Sequence, residues 1–229
     1  MRGTDVVFLP RRTSARFSLP SSEPEEFSKG FRCETGILMS DILSTLETLI
    51  RRLREYVKSS DPLTSAAGMI AIVVAGNQPF YPLYLHAVVG AAAWPAWLTL
   101  FSTPFFAAVP AVARRYSLVG RAMLPLVGVA NTVLCVKLLG VASAVELFLL
   151  PCILLGTILF RPGERTVMAL VLASAPVAYF ALDGSLGPAL EVFRPEEYRS
   201  IVTVHAVSVA ALTAFIGLLF SSILPVRKI

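Results

Sequence analysis

The most obvious shortage in this chain is of charged side chains. Charged residues make up 15% of its 229 residues and hydrophobic ones 55%, whereas about a quarter of an average soluble domain is charged. Residues 62–113 contain no Asp, Glu, Lys or Arg, and neither do residues 200–226. One membrane-spanning helix needs about 20 apolar residues, so the first stretch alone is long enough for two crossings. The shortage excludes an ordinary soluble domain and predicts an all-α, polytopic membrane protein.

Cysteine is also scarce, and residues 1–36 lack an apolar segment. Cys33, Cys135 and Cys152 are the three cysteines, and their spacing fits neither a disulfide framework nor a zinc site. Residues 1–36 carry prolines, hydroxyl side chains and mixed charge without an apolar segment. We therefore expect no cleavable signal peptide but a flexible cytoplasmic tail. The basic residues lie beside apolar blocks, so the net charge of +5 does not indicate nucleic-acid binding.

A short amphipathic helix is predicted over residues 37–60. Leu46, Leu49 and Leu53 continue a 3,4 spacing that begins at Met39 and ends at Tyr56. This spacing is typical of the seam of a dimeric coiled coil. The alternative is a helix lying in the membrane interface, held by its arginines to lipid headgroups.

Residues 61–226 are predicted to form a six-helix transmembrane bundle. Asp61 followed by Pro62 is a typical helix start, with an N-cap and a proline in the first turn. The predicted spans are residues 63–78, 83–113, 117–138, 141–160, 166–182 and 199–224. Trp94 and Trp97 fall deep in the second span, where we expect them to pack inside the bundle.

The distribution of Lys and Arg predicts the orientation of these spans. One side of the predicted bundle has a single acid, Glu164, among seven basic residues, which are Arg114, Arg115, Arg121, Arg161, Arg165, Arg227 and Lys228. The other side has more acids than bases. Because short cytoplasmic loops are rich in Lys and Arg, the basic side is predicted to face the cytoplasm. Both termini, including residues 227–229, are then cytoplasmic, and the protein is a multi-pass protein of the cell inner (plasma) membrane.

One stretch carries a resemblance to a known family. It contains an Asn-bearing third span ending in Lys137-Leu-Leu-Gly140, then Glu146-Leu-Phe-Leu-Leu-Pro151, and then Phe160 with the turn Arg161-Pro-Gly-Glu-Arg165. Over roughly residues 62–226 the chain resembles the six-helix membrane domain of bacterial class III adenylate/guanylate cyclases and related sensor histidine kinases. The resemblance covers the membrane part only, since no catalytic cyclase domain or phosphoacceptor region is present in this sequence.

The resemblance implies a membrane-embedded sensor or regulatory domain that signals to a cytoplasmic effector, a nucleotide cyclase or a kinase. It also implies a homodimer, because catalysis in the cyclases needs one. The chain is then either the membrane portion of something longer or a separate protein acting on a partner. A small transporter or channel subunit is the alternative function. No nucleophile–base pair and no HExxH motif is found, so we expect no enzymatic activity within this chain.

Polar residues inside membrane spans are costly, and they are therefore candidates for function. Five of them fall in the outer half of the predicted spans, namely His86, Asn131, Lys137, Glu146 and His205. Together they are predicted to bind a ligand in a pocket open to the outer side. Two imidazoles and a carboxylate would suit a divalent transition metal, and a protonation-sensitive site is an equal alternative. The simpler interpretation pairs Lys137 with Glu146 and leaves both histidines facing headgroups.

The sixth span carries a strip of small residues at helical spacing. The strip consists of Ala206, Ala210, Ala214 and Gly217. Such a strip lets two helix backbones approach closely. It predicts either a dimer contact that transmits the signal or close packing within the bundle.

Overall fold

The computed structural model describes residues 43–182 and 187–223, and every regular element within them is helical, with no strand in these ranges. The predicted tail (1–36), the start of the predicted amphipathic helix (37–42) and the end (227–229) lie outside the described residues. The chain divides into two compact units, residues 1–49 and 50–229. Of the first unit only residues 43–49 are described, and they are helical.

The second unit is a succession of helices joined by short turns. Helix α1 is described over residues 43–57. The elements that follow it are α2 (Pro62–Asn77), α3 (Phe80–Val89), a 3-10 helix (Gly90–Ser102), α4 (Thr103–Arg115), α5 (Ser117–Leu139), α6 (Leu149–Ile158), α7 (Arg165–Leu182) and α8 (Pro195–Ile223).

The start of α2 is the one predicted from the sequence. The Asp61 side chain accepts a hydrogen bond from the backbone N–H of Leu63, and Pro62 occupies the first turn. Helix α1 ends at residue 57 instead of 60, because the intervening residues serve the cap of α2. Its last turn is held to α4, since the Tyr56 hydroxyl donates to the Ala107 carbonyl over 3.0 Å and the Arg114 guanidinium lies over the Tyr56 ring.

Several helices are long and apolar enough to cross a membrane. Phe80–Arg115, Ser117–Leu139 and Pro195–Ile223 meet this condition singly, and the pair Val145–Ile158 and Pro162–Ala181 meets it together across a bend of 116°. Helix Pro62–Asn77 is apolar but shorter. By length and composition the described residues thus provide three spans, or four if the bent pair is one span, where the sequence predicted six.

The second predicted span contains an unexpected 3-10 helix of 13 residues, Gly90–Ser102. Runs of this geometry longer than about four residues are uncommon. Its buried residues are Ala93, Pro95, Ala96, Thr99 and Ser102. Four of them, all except Pro95, lie at intervals of three, which is the repeat of a helix with 3.0 residues per turn. Because these four side chains are small, the close stacking at i and i+3 is accommodated. The geometry turns the opposite face outward, so Trp94 and Trp97 are about half exposed, and the prediction that they pack inside the bundle is wrong.

The main core lies where α2, α4, α5, α6, α7 and α8 meet, around the fully buried Ile70, Val109, Leu159 and Ile216. A second apolar cluster joins α3, the 3-10 helix, the end of α5 and the start of α8 through Leu85, Leu139 and Ile201. The two clusters occupy opposite ends of the bundle.

Two sets of predicted packing residues lie on exposed faces. Leu46, Leu49 and Leu53 of α1 are exposed, and their pairing with a second chain or with lipid stays a prediction. The strip Ala206, Ala210, Ala214 and Gly217 is exposed as well, and a Cβ added at Gly217 would meet no atom within 4 Å. Close packing of this strip within the described bundle is therefore excluded, because α8 turns Ile201, His205, Val209, Ile216 and Phe220 inward.

Candidate functional site

A cavity of about 500 Å³ lies between α2, α3, α5, α6 and α8. This is within the range of small-molecule sites, roughly 300–1,000 Å³. None of the described residues that line it is charged. Most of the lining is aliphatic or aromatic, and the polar lining residues are Asn77, Gln78, Tyr81, Tyr84, Asn131, Thr132 and Ser208.

The lining is divided into a polar and an apolar end. Asn77 in α2, Asn131 in α5 and Ser208 in α8 each have an apolar lining residue seven positions away on the same helix. These apolar partners are Ile70, Leu124 and Phe215. Seven residues of α-helix correspond to roughly 10 Å, so each helix changes from polar to apolar over the same depth.

Contacts at both ends of the bundle show that the three polar residues lie at the same end of the cavity. The Thr64 and Ser117 hydroxyls are 2.6 Å apart, which places the starts of α2 and α5 together. At the opposite end, His205 in the first half of α8 contacts Ser143, which follows α5. Helices α2 and α5 therefore run towards the polar end and α8 runs away from it.

Asn131 presents the least satisfied group in the cavity. Its Oδ1 atom is buried and has no hydrogen-bond partner within the described structure. Other polar lining residues have hydrogen-bond partners within the protein. The Thr132 hydroxyl donates to the Gly128 carbonyl, and the Gln78 amide donates to the Ser102 hydroxyl. A buried acceptor without a partner costs about 1–3 kcal/mol, so this position lowers the stability of the folded bundle.

The cavity opens on one side of the bundle. Five of its lining residues are exposed, and they belong to α2, α3 and α8, namely Val73, Asn77, Tyr84, Val207 and Ala211. The walls contributed by α5 and α6 include the buried Leu124, Cys152 and Leu155. The mouth of the cavity is thus a gap in the outer surface of the helix bundle between α2 and α8.

His205 supports the polar end without lining the cavity. Its side chain is fully buried, and its Nδ1 lies 2.7 Å from the Ser143 carbonyl oxygen. Because a carbonyl can only accept, Nδ1 carries the proton. In the neutral ring Nε2 is then an acceptor, and it lies 2.8 Å from the Tyr81 hydroxyl, which donates to it. The Tyr81 and Phe148 rings pack against the imidazole, so both nitrogens are used and the ring is enclosed.

Replacing Tyr81 by phenylalanine is expected to lower the free energy of unfolding by about 1–3 kcal/mol, because His205 Nε2 would be left buried without a donor. Thermal unfolding in detergent, followed by tryptophan fluorescence, measures the change. Tyr84→Phe is the matched control, since Tyr84 is exposed and should change stability by less than about 0.5 kcal/mol. Equal melting temperatures for the two variants would contradict the role assigned to Tyr81.

The five residues predicted from the sequence are separated by the structure. Asn131 lines the cavity, and His205 is one hydrogen bond away from it through Tyr81. His86 is exposed on α3. Lys137 Nζ donates to the Pro188 carbonyl over 2.8 Å, and Glu146 Oε2 is buried without a hydrogen-bond partner. The residues 43–182 and 187–223 contain no group of three or more His, Cys, Asp or Glu side chains that could hold a metal.

Sequence reasoning missed most of the polar end. Asn77 and Gln78 close the first predicted span, and adjacent amides at a helix end resemble ordinary interfacial residues. Tyr81 and Ser208 give no signal in an apolar segment, because both residue types are common there. Their grouping follows from the packing of α2, α3 and α8, which the linear pattern does not contain.

The opposite end of the bundle holds an ion cluster of Asp61, Arg121, Arg161 and Glu164. Arg121 is buried, and its two Nη atoms donate to the two oxygens of Glu164 over 2.9 and 2.6 Å. Arg161 donates to Asp61 over 2.9 Å, and Asp61 Oδ2 lies 3.8 Å from Arg121 Nε. The cluster ties the start of α2 to α5 and to the turn between α6 and α7.

Comparisons of this chain with protein-family models, with curated proteins and with solved structures find no match. The resemblance to cyclase and kinase membrane domains therefore stays a prediction.

Proposed function

We propose that the protein is a membrane-embedded sensor domain that binds a small ligand in the cavity and signals to a cytoplasmic effector, a nucleotide cyclase or a kinase. The observation that carries the proposal is the uncharged cavity, whose polar lining residues Asn77, Asn131 and Ser208 gather at one end. A ligand shifts a conformational equilibrium only through different affinities for the two packings. A cavity lined by residues of several helices is well placed to exert that effect.

The positions of the helix ends support six membrane crossings in this proposal, because successive helices begin at alternating ends of the bundle. The ion cluster gathers the start of α2, α5 near its beginning and the α6–α7 turn at one end. At the other end, Gln78 after α2 contacts Ser102 before α4, and the Lys137 carbonyl accepts from Leu190 N–H before α8. The order α2, α4, α5, α6, α7, α8 then passes from end to end six times. The shorter members of this series would span the bilayer with local thinning.

The same arrangement supports cytoplasmic termini in the inner membrane. Arg114, Arg115, Arg121, Arg161 and Arg165 all belong to the end that holds the ion cluster. The positive-inside bias supports a cytoplasmic position for this end. The polar end of the cavity then lies towards the outer leaflet.

A route from the cavity to the cytoplasm runs along α2. This helix lines the cavity with Val73 and Asn77 near its end, and its cap Asp61 belongs to the ion cluster. The preceding α1 is held to α4 by Tyr56 and carries the exposed seam Leu46, Leu49 and Leu53. In the proposed homodimer this seam pairs with a second copy, and the exposed strip of α8 provides a further contact in the membrane.

A cavity-filling substitution tests the sensor proposal without any ligand. Ser208→Phe places a large side chain at the polar end, and Leu53→Cys in a Cys33→Ser background reports the distance between paired α1 helices by oxidative crosslinking. Allosteric couplings are commonly 1–3 kcal/mol, so filling the cavity should change the crosslinking rate in membrane vesicles by about fivefold or more. Ala173→Phe is the control, since Ala173 is exposed on α7 and outside the cavity.

Three results are informative. A change with Ser208→Phe and none with Ala173→Phe supports a sensor. Identical crosslinking rates in all three proteins would contradict it and favour a passive anchor. No crosslinking of Leu53→Cys in any of them would contradict the dimeric seam.

The alternative of a small transporter or channel subunit finds less support. Transport sites commonly lie near the bilayer midplane between inverted repeats, whereas the polar groups here gather at one end of the cavity. Solute flux in proteoliposomes that exceeds the flux through protein-free vesicles would favour it.

A further inference from the structure

We propose that Arg52 and Arg114, at the end of the bundle that holds the ion cluster, together bind the phosphate of an anionic phospholipid of the inner leaflet. This inference rests on the proposed function only in placing that end at the inner surface of a membrane. It does not depend on the cavity.

The docking of α1 on α4 brings the two arginines together. The guanidinium carbon of Arg114 lies 4.7 Å from the centre of the Tyr56 ring, and the Tyr56 hydroxyl donates to the Ala107 carbonyl, so Tyr56 is fixed on α4. Arg52 precedes Tyr56 by four residues on α1, and side chains at this spacing are neighbours on one helix face. Arg52 and Arg114 therefore lie beside the same ring, each on its own helix.

Both arginines have their charge available for an anion. They are exposed, and neither forms an ion pair within the described residues. The acids Asp61 and Glu164 at this end are bound by Arg121 and Arg161 instead. From residue 50 onward the same end carries further exposed cations without an ion pair to a described residue, namely Arg51, Arg54, Lys58, Arg115 and Arg165. A cluster of this kind beside a membrane helix attracts anionic lipid.

The depth of α1 against the bundle favours a lipid over a soluble anion. Ala107, which accepts from Tyr56, lies seven residues before Arg114, or about 10 Å of α-helix. Val57 Cβ is 3.4 Å from the position that a Cβ on Gly68 would take, and Gly68 is six residues, or about 9 Å, from the start of α2. Helices at a membrane surface lie about 5–10 Å into the boundary between headgroups and acyl chains. The last turn of α1 lies at a comparable depth.

The surface of α4 next to Arg114 suits an acyl chain. Ala111 precedes Arg114 by three residues, and Pro104 lies two turns before Ala111. Both are exposed, and this spacing places them on the same side of α4 as the arginine. A phospholipid would therefore meet cations at its headgroup and uncharged residues along its chain, whereas a soluble phosphate would use only the cations.

Photolabelling in lipid nanodiscs tests the proposal with two probes that differ only in their headgroups. Trace phosphatidylglycerol and trace phosphatidylcholine carry the same diazirine-bearing acyl chains, in discs of unlabelled phosphatidylcholine. One basic side chain near an anionic lipid surface raises the affinity about fivefold. Phosphatidylglycerol should therefore label peptides from residues 50–58 and from α4 about fivefold or more above phosphatidylcholine. Equal labelling of these peptides by the two probes would overturn the proposal.

Matched variants distinguish a site from diffuse surface charge. Arg52→Gln and Arg114→Gln should each lower the ratio of the two labelling yields about fivefold, whereas Arg114→Lys keeps the charge and should retain the ratio. Arg165→Gln is the control, because it removes an exposed charge at the same end but on α7, which packs against α5 and α6. A loss with Arg165→Gln as large as the loss with Arg114→Gln would overturn the site. Size-exclusion profiles establish that each variant is folded.

Inorganic phosphate distinguishes a lipid site from a site for a soluble anion. Replacing chloride by phosphate at equal ionic strength should leave the labelling ratio unchanged, because the lipid is held by its chain as well as by its headgroup. A ratio that phosphate abolishes and chloride does not would overturn the lipid as the occupant.

The labelling result and the Leu53→Cys crosslinking result are separable. Both leaflets of a nanodisc contain the same lipids, so the labelling ratio does not depend on which end of the bundle is cytoplasmic. Headgroup-selective labelling without a crosslinking response to Ser208→Phe would keep the lipid site and remove the sensor function. A crosslinking response with equal labelling by both probes would keep the sensor function and overturn the lipid site.

Discussion

Replacing Arg121 by methionine is expected to lower the free energy of unfolding by about 3 kcal/mol. This is the lower end of the usual cost of removing one partner from a buried ion pair, because the Glu164 side chain is 20% exposed. The Arg121 side chain is only 3% exposed. It donates to both oxygens of Glu164 and also to the Leu159 carbonyl over 2.6 Å. Methionine fills a similar volume but donates nothing, so these acceptors lose a common donor at once. Thermal unfolding in detergent micelles measures the loss.

Two further variants distinguish the effect of losing the Arg121–Glu164 ion pair from the effect of losing a positive charge at this end of the bundle. Arg165→Met removes an exposed charge at the same end and should change stability by less than about 0.5 kcal/mol. The double variant Arg121→Met with Glu164→Leu should be more stable than Arg121→Met alone, since removing both partners leaves fewer buried groups unpaired. A double variant less stable than the single one would contradict the assignment of the loss to the stranded carboxylate.

Acid should weaken the same cluster in the unmodified protein. Partial burial by itself would raise the pKa of Asp61, but the hydrogen bonds from Thr64 and Arg161 and the charge of Arg161 outweigh it and hold the pKa below its ordinary 3.8. A carboxyl whose pKa is lowered by folding stabilises the folded state above its unfolded value, and this stabilisation is lost as the pH falls through the folded value. The contribution of Asp61 should therefore be complete above about pH 4 and decline below it, and Asp61→Asn should flatten that decline.

Replacing Gly120 by alanine is expected to be strongly destabilising. A Cβ at this position would overlap the Cα and Cβ of Ala113 and lie 2.6 Å from the Ala113 nitrogen. Overpacking commonly costs about 1–3 kcal/mol when side chains can adjust. Here the obstacle is backbone of α4, so the tight α4–α5 turn at Tyr116 must open, and the loss should reach or exceed the upper end of that range.

Gly76→Ala provides the matched control for Gly120→Ala. Gly76 lies in α2, and a Cβ added there would meet no atom within 4 Å. Because alanine favours a helix by roughly 0.5–1 kcal/mol over glycine, this variant should be as stable as the unmodified protein or slightly more so. If Gly120→Ala unfolded at the same temperature as Gly76→Ala, the close approach of α4 and α5 at this turn would be wrong.

The helical class and several boundaries could be predicted because they depend on local chemistry. Asp61 and Pro62 begin α2 as expected, since a capping carboxylate and a proline in the first turn act within one turn of helix. The 3-10 helix was missed, although its small buried residues at 93, 96, 99 and 102 recur every three positions. Apolar content alone does not distinguish that repeat from an α-helical one.

The candidate site could be predicted only in part. Asn131 lines the cavity, and it was a candidate because an amide inside an apolar helix is conspicuous in the sequence. Its role in binding a ligand stays a prediction. The prediction that His86, Lys137 and Glu146 belong to the same site as Asn131 depended on their equal predicted depth in the membrane. Depth does not fix the direction in which a helix turns its side chains, and the structure leaves His86 exposed.

By itself the sequence determined that this protein is helical and apolar enough for a membrane, because hydrophobicity and helix capping act on neighbouring residues. Only the tertiary structure decided where the polar groups meet. The cavity, its lateral mouth and the ion cluster each join side chains from at least three segments of the chain. Contacts of this kind depend on the rotation and order of packed helices, and those are settled by the fit of the whole bundle.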